Sequence, residues 1–197
     1  PDQVARGVQV RLEEALTHCQ PERPDPVWEA AADAEDHPGA KVFQGRSLVR
    51  QREYVVISAS SRVRITRKHG VHYLHRAKGI EIPRLLSFDW RADPGGSLDG
   101  FVGVDGAPPR RCETSYLPAT RYIQAPGITI AEFTGRLGRG RIGFPVRMTW
   151  LGCGDVPGIR LRVEIENQHL DHRLRLLWHT LVDTAEVHHA CTPVWSF

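Results

Sequence analysis

The residues of this chain with chemistry to offer are carboxylates, imidazoles and indoles, and they gather in a few places. Asp93 and Asp99 lie in the run Phe88-Asp-Trp-Arg-Ala-Asp-Pro-Gly-Gly-Ser-Leu-Asp-Gly-Phe101. A retaining glycosidase needs two carboxyl groups about 5–5.5 Å apart across the scissile bond. The same aspartates suit a Gly/Pro loop, where Asp bonds its own backbone, and the composition of this segment favours the turn reading. His69, His72 and His75 have a spacing that suggests a zinc site. On a strand, however, residues three apart face opposite sides, and Gly70 and Val71 argue against a helix, so metal binding is the weaker reading. Asp171-His172 sets an acid beside a base, but no Gly-x-Ser-x-Gly elbow supplies a nucleophile. The expectation is structural: Asp171 caps a turn, and Arg173 and Arg175 pair with Glu164 and Glu166 across a hairpin. Of the five tryptophans, Trp150 and Trp178 sit in apolar strand patterns and read as core. Trp90, between Asp89 and Arg91, is the better sugar-stacking candidate.

The elements that would position these residues are mostly strands. Ile159, Leu161, Val163 and Ile165 alternate with Arg160, Arg162, Glu164 and Glu166, and Arg173 and Arg175 alternate with Leu174, Leu176 and Trp178. Each is a strand with one face in a core and one in water. The short polar turn between them predicts a hairpin. Further strands are expected at Tyr54–Ile57, Arg62–Thr66, Val71–Leu74, Leu85–Trp90, Arg121–Gln124, Ile128–Leu137 and Ile142–Leu151, with Gly and Pro between most of them. Gly135-Arg-Leu-Gly-Arg-Gly140 falls between two of these, so it reads as a hairpin turn rather than a phosphate loop. Residues 2–19 read as a helix with Asp2 as N-cap and Val4, Val8, Leu12 and Leu16 at helical spacing. Val27 to Ala34 reads as a second short helix, and Asp36-His-Pro-Gly39 as a turn. The division expected is a helical segment or linker over residues 1–40 and an all-β antiparallel domain over residues 41–197.

The totals narrow the function classes. The chain has 197 residues, 41% of them hydrophobic and 25% charged, an ordinary soluble balance. No stretch approaches the roughly 18 apolar residues that cross a bilayer, so no membrane partner is expected. The net charge of +3 comes from arginine, lysine being limited to Lys41, Lys68 and Lys78. Because Arg160, Arg162, Arg173 and Arg175 alternate with apolar residues, they read as a solvated sheet face rather than a nucleic-acid surface. Cys19, Cys112, Cys153 and Cys191 form no Cys-x-x-Cys pair, and no stretch of these residues reads as a signal peptide. Free thiols in a reducing, cytoplasmic compartment are the expectation. The chain starts at Pro1 and its single methionine is Met148, which reads as a processed chain or a piece of a longer one.

The wording of the strands also resembles a known family. A strand ending in Glu166-Asn167, a few polar residues, and then Asp171-His-Arg-Leu-Arg175 with a hydrophobic run is similar to the C-terminal β-domain of the glycoside hydrolase family 38 α-mannosidases. Phe144-Pro-Val-Arg-Met-Thr-Trp150 resembles the preceding strand of that family. Val182-Asp-Thr-Ala185 resembles the acidic segment that follows the box. Asp93, Gly95 and Asp99 resemble its Asp-x-Gly-Asp-x-Tyr loop, with Phe101 where the Tyr is expected; the ring is kept for stacking and the hydroxyl is lost. The resemblance spans roughly residues 54–185. It implies an antiparallel β-supersandwich of the galactose-mutarotase-like type and retaining cleavage of α-mannosidic bonds. The zinc ion and the aspartate nucleophile would belong to a separate catalytic domain of the same parent chain. For these residues it implies no cofactor of their own, a structural role, and a substrate-rim role for Trp90, Asp93, Asp99 and Phe101 toward a mannose-containing carbohydrate. Asn167, Asp171, His172, Arg173 and Arg175 would mark the fold rather than the chemistry. Rival readings are a stand-alone carbohydrate-binding module, an epimerase-like enzyme pairing Glu132 or Glu164 with His72 or His172, and a noncatalytic protein on the same fold.

Overall fold

A computed structural model describes residues 26–92, 110–113, 117–139, 142–166 and 172–179. The described chain is mainly antiparallel β. It comprises a short helix α1 (Pro26–Ala32), strand β1 (Lys41–Gln44), a one-turn helix α2 (Arg46–Val49), and strands β2 (Glu53–Ile57), β3 (Ser61–Thr66), β4 (Gly70–His75), β5 (Ile80–Ile82), β6 (Leu86–Ala92), β7 (Arg110–Glu113), β8 (Ala119–Ala125), β9 (Ile128–Arg139), β10 (Ile142–Cys153), β11 (Ile159–Ile165) and β12 (His172–Trp178). The expected strands are all present. Strands β1, β5 and β7 and helix α2, at three or four residues each, are too short to announce themselves by periodicity.

Three sheets form: β1-β8-β9-β10-β11, β2-β3-β4-β5 and β12-β6-β7. Their inward faces share one core. The four-stranded sheet contributes Val56, Val63, Ile65 and Val71, and the three-stranded sheet contributes Leu86 and Phe88. The five-stranded sheet contributes Tyr122, Phe133, Leu137, Phe144, Met148 and Trp150. β3 shows the alternation plainly: Ser61, Val63 and Ile65 are buried and Arg62 and Arg64 are exposed. Each large apolar side chain buried this way stabilises the fold by about 1.5–3 kcal/mol. The outer face of the five-stranded sheet has its own smaller cluster, where Val27 and Ala34 cover Ile123, Ile130 and Leu151. α1 is therefore held on the sheet by its apolar side.

Two expectations need correction. The strands Ile159–Ile165 and His172–Trp178 do not form a hairpin with each other. β11 pairs with β10, with Val163 opposite Met148, while β12 pairs with β6 in a different sheet, with Leu176 opposite Phe88. Period-2 alternation fixes which face of a strand is buried, not which strand it joins. In consequence, Arg173 and Arg175 have no cross-strand register with Glu164 and Glu166, and Glu164 Oε2 lies 3.8 Å from Arg147 Nη1 instead. Residues 135–139 are likewise strand, because β9 continues to Arg139, opposite Ile142. The predicted helix over residues 2–19 lies outside the described residues. Among the described residues, no helix is long and apolar enough to cross a membrane.

Candidate functional site

The sequence places the acidic loop and the Asp-His-Arg-Leu-Arg box far apart, and the sheet brings their flanks together. β6 runs straight toward Asp93 and ends at Ala92. β12 begins at His172, directly opposite Ala92. From there Arg173 faces Arg91, Leu174 faces Trp90, and Arg175 faces Asp89 in register. On the other flank of β6, Trp90 is opposite Arg110 and Asp89 is opposite Arg111. Of the candidate residues, then, Trp90, His172 and Arg173 lie on two adjacent strands toward one end of the three-stranded sheet, with Arg175 at the middle of β12. Asp93, Asp99, Phe101, Asn167 and Asp171 lie outside the described residues.

The far end of β12 carries an unexpected feature. Trp150 is buried, as its pattern predicts, but Trp178 is 51% exposed. An indole in an apolar pattern reads as core. The strand, however, lies at a sheet edge, so its last residue runs past the cover. Positions 172 and 178 are about 20 Å apart along a strand, farther than a single monosaccharide reaches. Beside it, His179 donates its backbone N–H to Leu85 O at 2.8 Å and its Nε2 lies 2.7 Å from Ser87 Oγ. A serine and histidine at this distance resemble half of a hydrolytic triad. Ser87 is only 5% exposed, which keeps a substrate carbonyl away, so the pair is a lock between strand ends. Sequence reasoning missed it because the partners are 92 residues apart.

The three histidines do not converge. His69 sits in the β3–β4 turn. His72 Nε2 pairs with Glu81 Oε1 at 2.8 Å, and His75 Nδ1 accepts the Lys78 backbone N–H at 3.3 Å. Among the described residues, no group of three or more His, Cys, Asp or Glu side chains is placed to hold a metal ion. The donor set described does not fit zinc. Of the epimerase candidates, the three whose side chains are described already have partners. Glu132 is engaged by Arg121 at 3.2 Å, Glu164 by Arg147, and His72 by Glu81.

Two clefts remain. A polar one of about 510 Å³ opens on the outer face of the five-stranded sheet beside α1. Its wall carries Trp28, whose ring lies 4.5 Å from the Arg162 guanidinium, and its charges are matched: Arg121 bridges Glu35 and Glu132, and Arg147 faces Glu164. The larger, about 820 Å³, opens between α2, the β3–β4 turn and the start of β8. Tyr54 stands in it, its hydroxyl donating to Leu48 O at 3.3 Å and its ring edge-on to Tyr122 and Phe133. Burial holds the Tyr54 phenol above its ordinary pKa. Elsewhere, Cys153 Sγ donates to Asp155 Oδ1 at 2.7 Å. That bond, with burial second, raises the thiol pKa, and the same bond, with a backbone hydrogen bond second, lowers that of the carboxyl.

Comparisons with family models, with curated proteins and with solved structures each return no match.

Proposed function

We propose that the chain is a noncatalytic β-domain of a carbohydrate-processing protein similar to the family 38 α-mannosidases. In this reading the fold is of the mutarotase-like supersandwich type. It packs on a catalytic domain of the same parent chain and lends the 93–101 loop to the rim of the sugar site. The observation that supports it is the register of His172 with Ala92. Two motifs far apart in the chain, one acidic and one basic, flank the same end of one sheet, as a shared rim requires. In this reading the nucleophile belongs to the partner domain, and the mannose-containing substrate is held jointly by the two. The test is incubation of this chain with an aryl α-mannoside and zinc, alone and with the remainder of the parent protein. The expected outcome is no turnover alone, and turnover in the joined protein that drops in a Trp90→Ala variant. Hydrolysis by this chain alone would refute the proposal.

A second reading, a stand-alone carbohydrate-binding module, draws on the exposure of Trp178. An exposed indole offers a flat apolar face to the C–H side of a pyranose at little entropic cost. Calorimetry with mannose and mannobiose separates the two: a module loses binding in Trp178→Ala and keeps it in Trp90→Ala.

A further inference from the structure

The larger cleft has a composition suited to a different ligand from a sugar. Its floor is apolar: Leu48, Ile65, Leu117 and Phe133 are each buried at 3–6% exposure. Val49 stands at its mouth with 84% of its surface in water, a large exposure for an aliphatic side chain beside a buried floor. The rim is cationic. Arg52, Arg67 and Lys68 line it with His69, all exposed. No acidic side chain is among the described residues lining it. This contrasts with the polar cleft, where Glu35, Glu132 and Glu164 neutralise the neighbouring arginines. Uncompensated like charges around a low-dielectric floor repel one another and focus a positive potential into the cleft. A monosaccharide would find too few hydrogen-bonding groups on this floor, because ligand sites fix polar ligands with convergent polar atoms. A carboxylate with a compact apolar tail matches both parts: the tail covers Val49 and the floor, and the head sits among Arg52, Arg67 and Lys68.

We infer that the cleft between α2 and the β3–β4 turn is a binding site for a small amphipathic carboxylate. This inference is independent of the carbohydrate reading and stands or falls separately from it. The cleft's volume of about 820 Å³ is in the range of small-ligand sites. Selectivity has a simple origin: the floor rewards the tail, and the rim rewards one negative charge.

The test is calorimetric titration of the full chain with decanoate, decanol and acetate. Decanoate is expected to saturate a single site. Decanol, which has the tail without the charge, is expected to bind about tenfold more weakly, and acetate, which has the charge without the tail, not measurably. The double variant Arg67→Glu/Lys68→Glu reverses two exposed rim charges and is expected to weaken decanoate about tenfold, with the wild-type affinity falling as salt rises. Val49→Glu places an acid at the mouth, at a position the fold leaves in water, and is expected to act in the same direction; circular dichroism confirms that each variant is folded, and if the double variant is not, Val49→Glu decides. Equal affinity for decanoate and decanol, no saturation by decanoate, or unchanged decanoate affinity in the folded variants overturns the assignment.

Discussion

The phenolic oxygen of Tyr122 satisfies both backbone groups of Val55. It accepts the Val55 N–H at 3.2 Å and donates to the Val55 carbonyl at 2.9 Å, while Gln124 Nε2 donates to it at 2.8 Å. Two residues on, Thr129 Oγ1 repeats the device, accepting from Ile57 N at 2.8 Å and donating to Ile57 O at 3.4 Å. β2 is an edge strand of its sheet, and an edge strand presents unpaired N–H and C=O groups. Side chains of β8 and β9 occupy those groups and tie the four-stranded sheet to the five-stranded one.

Replacing Tyr122 with Phe keeps the ring and removes the clamp. Val55 then loses two hydrogen-bond partners in a half-buried position. The expected cost is about 1–3 kcal/mol, read as a lower urea midpoint with an unchanged slope. A Tyr122→Phe protein as stable as the parent would mean that water replaces the hydroxyl without loss.

Gly152 makes the same junction possible from the other side. A Cβ there would lie 2.2 Å from Ile57 O and 2.6 Å from Ile57 C. Backbone cannot swing away as a side chain can, so Gly152→Ala must push β2 off β10. A loss of about 2–4 kcal/mol is expected, together with faster hydrogen exchange at the Ile57 amide. Exchange at Ile57 unchanged from the parent would contradict the close approach.

Arg121 joins Glu35, which follows α1, to Glu132 on β9. All three side chains are partly exposed, so the network is screened. Arg121→Met is expected to cost about 0.5–2 kcal/mol at low salt and less at 1 M salt. Melting curves at the two ionic strengths measure this, and a salt-independent loss would point to packing rather than charge.

Cys153 should be a slow thiol. Its raised pKa comes first from the bond to Asp155 and then from burial, and the thiolate is the reactive form. Peptide-resolved alkylation at pH 8 is expected to label Cys153 more slowly in the folded chain than in the denatured one, and Asp155→Asn is expected to speed it. The sign for stability follows from linkage. A raised folded pKa keeps its proton while the unfolded thiol ionises, so the contribution is full below the unfolded value and is lost as pH rises through the folded one. Asp155, lowered by the same bond, runs the other way: its contribution is present above the ordinary carboxyl range and fades as pH falls.

Strands were legible wherever β-branched residues alternate with charged ones. Arg62–Thr66 and Ile159–Ile165 are visible by inspection because each has one face to bury. Partners were not legible. Nothing within Ile159–Ile165 distinguishes Met148 from Leu174 as a neighbour, since both are apolar and both lie at the right parity. Only the whole core decides. The same limit hid β1, whose four residues pair with Arg121–Gln124, and the Ser87–His179 lock. It also misled on Trp178, since an apolar pattern does not say where a sheet stops. Of the rim candidates, Trp90 alone is among the described residues; it lies on the strand beside the one that carries His172, Arg173 and Arg175, a proximity that spacing along the chain conceals.

The pairing of β6 with β12 has a consequence for how the protein is made. Ser87 and His179 are separated by 92 residues, which a ribosome adds in about 5–20 s. Throughout that interval Leu86 and Phe88 lack the strand that completes their sheet. A nascent chain in this state has one flank of β6 unpaired, so the sheet closes only once residues 172–178 have been made. A holdase acting during translation would find its natural target at residues 86–92.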